Sequence, residues 1–289
     1  MDYMLAPRSA AFGLMLVALA PASAAFAQNL AQDAPVALAP HRAVYDLSLG
    51  QTRGNSQLVG VRGRILYDFG GNTCDGYTLE FRQVSELDSG ESNKLSTSDL
   101  RSTTWERADA KSFKFTSQNF VDESLVDTVD GHAERSANET AVDLSKPEHK
   151  NLDLDATVVF PTEHMVRVIE AARAGKDVLN FPVYDGSETG DKVFDTLTVI
   201  GKKIAPGERQ HDDAAANEPK LAKLARWPVT ISYFERGKKA DTSEQTPTYA
   251  IGFELYENGI SRALTLDYND FVVTGKLTSL DLKESKPCN

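Results

Sequence analysis

The chain has 289 residues, and its 31 basic and 42 acidic side chains give a formal charge of −11 near neutral pH. A chain of this length can bury a sizeable core by itself, and a composition of 41% hydrophobic and 25% charged residues excludes collagen-like, intrinsically disordered and cysteine-scaffold proteins. Since an acidic protein repels phosphates and anionic headgroups, we expect neither a nucleic-acid partner nor a general attraction to membrane surfaces.

The first 27 residues have the three-part pattern of a secretory signal peptide. One basic residue, Arg8, precedes an apolar run over 10–20, and small residues then lead to the small-x-small site Ala25-Phe26-Ala27. The apolar run is shorter than the roughly 20 residues that cross a bilayer, and no positive flank follows it, so a membrane anchor is disfavoured. We expect cleavage after Ala27 and a mature periplasmic protein of residues 28–289.

Alternation of apolar and polar residues predicts antiparallel strands along most of the mature chain. Over 59–69, valine, isoleucine and aromatic residues alternate with charged ones, and the alternation resumes after a glycine-rich turn at 70–76. These two runs predict a hairpin over residues 58–87. Similar runs begin at Ala43, Phe113, Trp227 and Tyr249.

Two dipeptides indicate further hairpin turns. Asn258-Gly259 separates the run that begins at Tyr249 from another over 260–268. Asn-Gly between alternating segments is the strongest short-range hairpin signal, because both residues accept positive φ. Asp130-Gly131 predicts a second turn of this kind.

One segment, about 161–174, has helical rather than strand periodicity. Its apolar residues stand at i, i+3, i+4 and i+7, and Gly175 follows the last turn. This pattern predicts an amphipathic helix that covers the inside or the mouth of a curved sheet, and we favour a packed core helix over a mobile lid. The apolar stripe consists of Met165, Val168, Ile169 and Ala172.

The strand-like segments recur about every ten to fifteen residues, and no shift in composition marks a domain boundary in the mature chain. We therefore expect a single all-β domain over 28–289. It should be a sandwich or barrel of a dozen or more antiparallel strands with one main helix.

The chain has two cysteines, Cys74 and Cys288, and both lie in the predicted mature protein. An even count in an oxidising compartment favours a disulfide, which would also hold a C-terminal tail that otherwise frays. The alternative of a catalytic thiol lacks support, because the turn around Cys74 has acidic and no basic neighbours to stabilise a thiolate.

The sequence offers few residues for catalysis or metal binding. Its histidines do not stand at metal-ligand spacing, and no nucleophile elbow, P-loop or dinucleotide fingerprint is present. We therefore expect no metal, no cofactor and no catalytic residue. For the histidine on the predicted helix, a satisfied or exposed side chain is more usual than a catalytic base. The five histidines are His41, His132, His149, His164 and His211.

The densest polar loop spans 184–191. Oxygen-bearing side chains at Asp185, Ser187 and Thr189 resemble the start of a calcium loop. The twelfth position is Thr196, however, where a bidentate glutamate is required, and no second helix follows. We favour a tight hairpin loop.

Five segments of the chain are distinctive in their order. They are 41–47, 70–77 around the first cysteine, 181–187, 267–271 and the terminal Cys288. Together they resemble the EipB-type cell-envelope integrity family of alphaproteobacteria, over nearly all of residues 41–289. The resemblance implies a periplasmic protein whose strands form an open, spiral-like β barrel, with a disulfide between Cys74 and Cys288. The implied role is support of envelope integrity, and no catalytic residue carries over.

Two classes of function remain open. The first is a binding protein that holds another envelope protein, a peptide or a lipid-like ligand in or on the barrel. The second is a hydrolase of envelope polymers with carboxylates such as Asp185, Glu188 or Asp191, although an acidic loop is usually a solvated face. A transmembrane barrel is disfavoured, because the last strand mixes Ser279 and Asp281 with apolar residues on one face. We favour binding without enzymatic activity.

Overall fold

The computed structural model describes residues 35–54, 56–90, 95–208, 212–237, 245–285 and 288. The predicted signal peptide, residues 1–27, lies outside the described residues, as does His211. The cleavage site after Ala27 and the start of the mature domain at residue 28 therefore stay predictions.

The described part of the chain contains fourteen strands, one α-helix and two short 3-10 helices. The strands are β1 (His41–Thr52), β2 (Gly60–Asn72), β3 (Gly76–Asp88), β4 (Leu95–Glu106), β5 (Ser112–Val121), β6 (Ser124–Arg135), β7 (Glu139–Lys146), β8 (Lys150–Asp155), β9 (Val178–Val183), β10 (Phe194–Ile200), β11 (Arg226–Glu235), β12 (Tyr249–Tyr256), β13 (Ser261–Asp267) and β14 (Phe271–Leu282). The helix α1 spans Pro161–Arg173, and the 3-10 helices span Ala214–Asn217 and Leu221–Lys223. None of these helices has the length and hydropathy that crossing a membrane requires.

All fourteen described strands belong to one antiparallel sheet, and the first of them, β1, lies near its centre. β1 pairs with β2 on one side and with β14 on the other. The remaining strands follow outward, from β2 to β8 and from β14 to β9. β8 and β9 are the two edges, so the sheet is not closed, and α1 connects them. The predicted open antiparallel barrel of a dozen or more strands with one main helix is confirmed.

The local turns agree with the sequence in all but one case. The hairpins predicted around residues 70–76 and at Asn258-Gly259 are β2–β3 and β12–β13, and the polar loop 184–191 joins the paired strands β9 and β10. The turn predicted at Asp130-Gly131 is wrong, because both residues lie inside β6, where the register with β7 shifts. A Cβ at position 131 would stand 2.8 Å from the carbonyl oxygen of Asp143, so glycine serves close strand packing there.

The apolar face of α1 is buried in the main hydrophobic core. Val168 and Ile169 are fully buried in a cluster with residues of β1, β2 and β11–β14, and Met165 packs against the same cluster. A second cluster, around Phe113 and Phe160, contains residues of β5, β6 and β7. The helix is therefore part of the core, as its stripe of apolar residues predicts.

The C-terminal tail is held against the turn between β2 and β3. Cys74 in that turn and Cys288 form a disulfide, with their Cα atoms 5.7 Å apart. Lys283 forms an ion pair with Asp68 of β2. The side-chain oxygen of Asn72 accepts hydrogen bonds from two backbone amides of the turn, at 2.7 and 2.8 Å. The tail is thus joined to the turn by the disulfide and to β2 by an ion pair.

Candidate functional site

A cavity of about 240 Å³ lies between α1 and the inner face of the sheet. Strands from both halves of the sheet contribute to it, β1–β4 from one half and β9, β11 and β12 from the other. Most of its lining is apolar: Leu38, Ala39, Tyr67, Phe69, Leu79, Met165, Val168, Val183, Ile231, Tyr233, Ile251 and Phe253. Concave sites with apolar walls and a few polar groups are typical of small-molecule binding sites.

The period of two along the strands explains how these side chains meet. Phe69 of β2 stands opposite Leu79 of β3, and Ile231 of β11 stands opposite Ile251 of β12. Directly paired residues share one face of a sheet, as do residues two positions apart. The alternation visible in the sequence therefore places these apolar residues on the inner face.

His164 is the most unusual polar group of the cavity wall. It projects from the first turns of α1, its side chain is only 4% exposed, and its Nε2 atom has no hydrogen-bond partner among the described residues. Burial, reinforced by the nearby Arg167, lowers the pKa of His164 to about 4, so the imidazole is neutral near pH 7. The ring contacts Phe181 edge to face, with centroids 5.9 Å apart. The ring is thus not exposed, and its Nε2 atom has no hydrogen bond to a described residue.

His41, at the start of β1, also lines the cavity. Its Nδ1 donates a hydrogen bond to the carbonyl oxygen of Ala39 at 2.8 Å, and its ring stacks on Tyr67 with centroids 5.5 Å apart. Burial lowers the pKa of His41, which keeps this ring neutral as well. The two other described histidines, His132 and His149, are exposed and lie away from the cavity lining.

Asp185 is the one carboxylate among the described residues that line the cavity. Its Oδ1 accepts a hydrogen bond from the backbone amide of Ser187 at 2.9 Å, and burial raises its pKa. Tyr233 and Tyr249 stack nearby with centroids 4.5 Å apart. Burial and the charge of Asp185 raise the pKa of Tyr233. Both effects disfavour negative charge in this part of the wall.

The two other carboxylates of the loop lie elsewhere. Glu188 forms an ion pair with Lys192, and Asp191 pairs with Lys150 at 2.5 Å, and neither carboxylate lines the cavity. A hydrolase built on this loop would thus have Asp185 in the cavity without either of the other two. In the described part of the chain, no group of three or more His, Cys, Asp or Glu residues is placed to hold a metal ion.

A buried carboxylate fixes the N-terminus of α1 above the cavity. Glu106, at the end of β4, is 2% exposed and accepts hydrogen bonds from the backbone amides of Thr162 and Glu163 at 2.7 and 2.8 Å. These amides belong to the first turn of the helix and have no acceptor within it. Glu163 in turn pairs with Arg135 of β6 at 2.8 Å. The sequence offers no local signal for this anchor, because Glu106 precedes Thr162 by 56 residues.

Two segments that carry the family resemblance contribute to the cavity, since they contain His41 and Asp185.

Comparison with known proteins supports the resemblance to the EipB-type family. A family profile described as EipB-like matches residues 32–284. The cell envelope integrity protein EipB of Brucella abortus (strain 2308) is 42% identical over 250 residues, which cover 86% of each chain.

A solved structure shows that the similarity extends to the fold. The crystal structure of a β-barrel-like protein of a domain of unknown function, DUF1849, from Brucella abortus superposes with a TM-score of 0.78 at 42% sequence identity. The match covers 86% of this chain and all of the solved chain. Family profile, sequence relative and fold agree, and this chain belongs to the EipB-like family.

Proposed function

We propose that the protein is a periplasmic, non-enzymatic binding protein that supports cell-envelope integrity by holding a lipid-like ligand in the cavity beneath α1. The support for an envelope role is the relative from Brucella abortus, which is named a cell envelope integrity protein. The periplasmic location is supported by the signal-peptide pattern of residues 1–27 and by the disulfide, since such bonds persist in oxidising compartments.

The observation that carries the proposal is the apolar cavity itself. Its volume of about 240 Å³ exceeds the roughly 150 Å³ of an engineered apolar cavity that takes up benzene. Aromatic and aliphatic walls on the sheet side face Met165 and Val168 of α1, and Met side chains adapt to ligands of varied shape. An acyl-chain segment or a small ring system is the kind of body that such a space accepts.

Filling the cavity tests this role. Ile251 lines the cavity, so Ile251→Phe should occupy part of the space. We expect the variant to bind a neutral apolar fluorophore, N-phenyl-1-naphthylamine, at least about tenfold more weakly than the parent protein. The matched control is Leu197→Phe, which makes the same kind of change at an exposed position of β10 and should leave affinity unaltered.

The same variants can be tested in cells. If the cavity serves the envelope, Ile251→Phe should sensitise cells to detergent as strongly as deletion of the gene, whereas Leu197→Phe should not. Binding of the fluorophore with equal affinity by all three proteins would contradict the proposal.

A further inference from the structure

We propose that the edge strand β9 binds an extended, neutral or basic segment of another polypeptide, which adds to the sheet as a further antiparallel strand. This docking site lies at the rim of the sheet, so the inference goes beyond the ligand proposed for the cavity.

The backbone of β9 has one side that no strand covers. Of the described strands, only β10 pairs with β9, and beside this pairing the amide of Ile200 donates to the carbonyl oxygen of Asp177 at 2.8 Å. Bonded and non-bonded pairs alternate along an antiparallel ladder, so Leu179 also bonds to β10. The N–H and C=O groups of Val178 and Asn180 therefore point away from β10, and no other described residue bonds to them.

The chain itself covers the other end of this edge. The amide of Val159 donates to the carbonyl oxygen of Pro182 at 2.8 Å, and the carbonyl oxygen of Val159 accepts from the amide of Tyr184 at 3.0 Å. The open part of β9 is thus its N-terminal half, where Val178 and Asn180 are both exposed.

The two edges of the sheet differ in how they are protected. β8 contains the charged residues Lys150, Asp153 and Asp155, and charges along an edge oppose the addition of another strand. β9 contains no charged residue over Val178–Val183. Its backbone is therefore the one that accepts a further strand.

Exposed apolar side chains accompany the open backbone of β9. Val178 stands directly opposite Val199 of β10, and the two side chains are 54% and 47% exposed. Both lie on the outer face, because the neighbouring Thr198 is buried on the inner face. An added strand with apolar side chains on the outer face would cover this pair.

The chemistry of this edge defines its occupant. A row of outward N–H and C=O groups at strand spacing is matched by another extended backbone. The chain has a formal charge of −11, which loss of residues 1–27 would not change, because they contain one acidic and one basic side chain. A second copy would bring the same charge and be repelled, whereas a neutral or basic segment avoids this repulsion.

The test uses a fluorescein-labelled peptide with lysine at both ends and three valines alternating with two threonines between them. In an antiparallel addition, peptide residues that bond to Val178 and Asn180 have side chains on the outer face, so valine should occupy these positions. N-methylation of the valines should weaken binding to the oxidised mature protein at least about tenfold by fluorescence anisotropy, whereas N-methylation of the threonines should change it little.

A proline variant tests the edge from the side of the protein. Asn180→Pro removes an N–H that β10 does not use, so it should weaken peptide binding at least about tenfold and leave the melting temperature nearly unchanged. Asn180→Ala keeps this N–H and should bind the peptide as the parent protein does.

The matched control makes the same change at the other edge. The amide of Ser136 donates to the carbonyl oxygen of Glu139 at 2.9 Å, so by the same alternation Ala141 bonds to β6. Its partner Asp153 in β8 then directs its N–H away from β7. Asp153→Pro should therefore leave peptide affinity nearly unchanged.

Several results would overturn the proposal. They are failure of the parent protein to bind the peptide, equal binding of the two N-methylated peptides, and tighter binding of a peptide with glutamate in place of both lysines. A dimer of the parent protein that Asn180→Pro dissociates, measured by sedimentation, would make a second copy the occupant instead. The N-methylated peptides decide the matter on the parent protein even if a proline variant fails to fold.

Discussion

Glu106 connects the end of β4 to the first turn of α1, and its protonation is linked to stability. Burial raises its pKa from 4.5 to about 7, although the amides of Thr162 and Glu163 oppose this shift. The folded protein thus retains a proton that the unfolded chain releases above pH 4.5. The stabilising contribution of this proton is present at low pH and is lost as the pH rises through about 7.

We expect the free energy of unfolding of the parent protein, relative to Glu106→Gln, to fall by on the order of 2 kcal/mol between about pH 5 and pH 8. Urea unfolding of both proteins at several pH values measures this difference, and other titrating groups cancel because both proteins share them. The exposed Glu170→Gln, measured in the same way, controls for the loss of one carboxylate from this region. A difference for Glu106→Gln that stays flat between pH 5 and pH 8 would show that Glu106 is ionised throughout this range.

At the scale of residues, the sequence predicts part of the site. His164 stands four positions before Val168, so helical geometry places it beside the apolar stripe, and this spacing signals that it is buried. Its unsatisfied nitrogen depends on tertiary contacts that no local pattern encodes. The burial of Arg262 also depends on tertiary contacts. Its side chain is 2% exposed and lies 2.6 Å from the carboxylate of Asp213, which belongs to a polar segment without a strand pattern.

At the scale of elements, α1 is the part of the fold that shapes the cavity, and its buried stripe should be essential for stability. Ile169 is fully buried in the main core, so Ile169→Asp places a charge without a partner in an apolar environment. We expect a loss of at least about 3 kcal/mol in the free energy of unfolding, measured with urea.

The control for this change is Glu170→Asp, on the exposed face of the same helix, which should alter stability by less than about 0.5 kcal/mol. Equal stability of Ile169→Asp and the parent protein would mean that the helix is a mobile lid. In that case ligand retention, rather than stability, would respond to the substitution.

Local sequence patterns predict two hairpins of the sheet correctly and one turn wrongly. Alternation and the Asn258-Gly259 turn predict the hairpins β2–β3 and β12–β13, because both members of each pair are close in sequence. Asp130-Gly131 has the same turn chemistry but lies within β6. There the glycine is required because side chains and backbone of neighbouring strands leave no room for a Cβ, which is a tertiary constraint.

At the scale of the whole molecule, the disulfide between Cys74 and Cys288 closes most of the sheet into one loop. The two residues are separated by 214 positions, and on a chain-entropy basis a loop of this size stabilises the fold by up to about 5 kcal/mol. We expect the double variant Cys74→Ser/Cys288→Ser to melt roughly 10 °C below the oxidised parent.

Reductant provides the internal control for this prediction. It should lower the melting temperature of the parent protein to that of the double variant and leave the double variant unchanged. Equal melting temperatures for the oxidised and reduced parent would contradict a stabilising role for the bond.

Local sequence patterns do not predict the order of the strands in the sheet. β1 pairs with β14 across more than 200 residues, for example Tyr45 with Leu277, and no turn links these strands. The count and direction of the strands follow from hydrophobic alternation, whereas the unclosed order from β8 to β9 is implied only by the family resemblance. The cavity results from this order, because it brings β2–β4 and β11–β12 to the same helix.

Native mass spectrometry of the protein purified from periplasm tests most directly whether this cavity holds a ligand. We predict the mass of oxidised residues 28–289 plus that of a lipid-like small molecule, which is released on denaturation and is absent from Ile251→Phe. The mass of the polypeptide alone, in the parent protein as in Ile251→Phe, would contradict a ligand-binding role for the cavity.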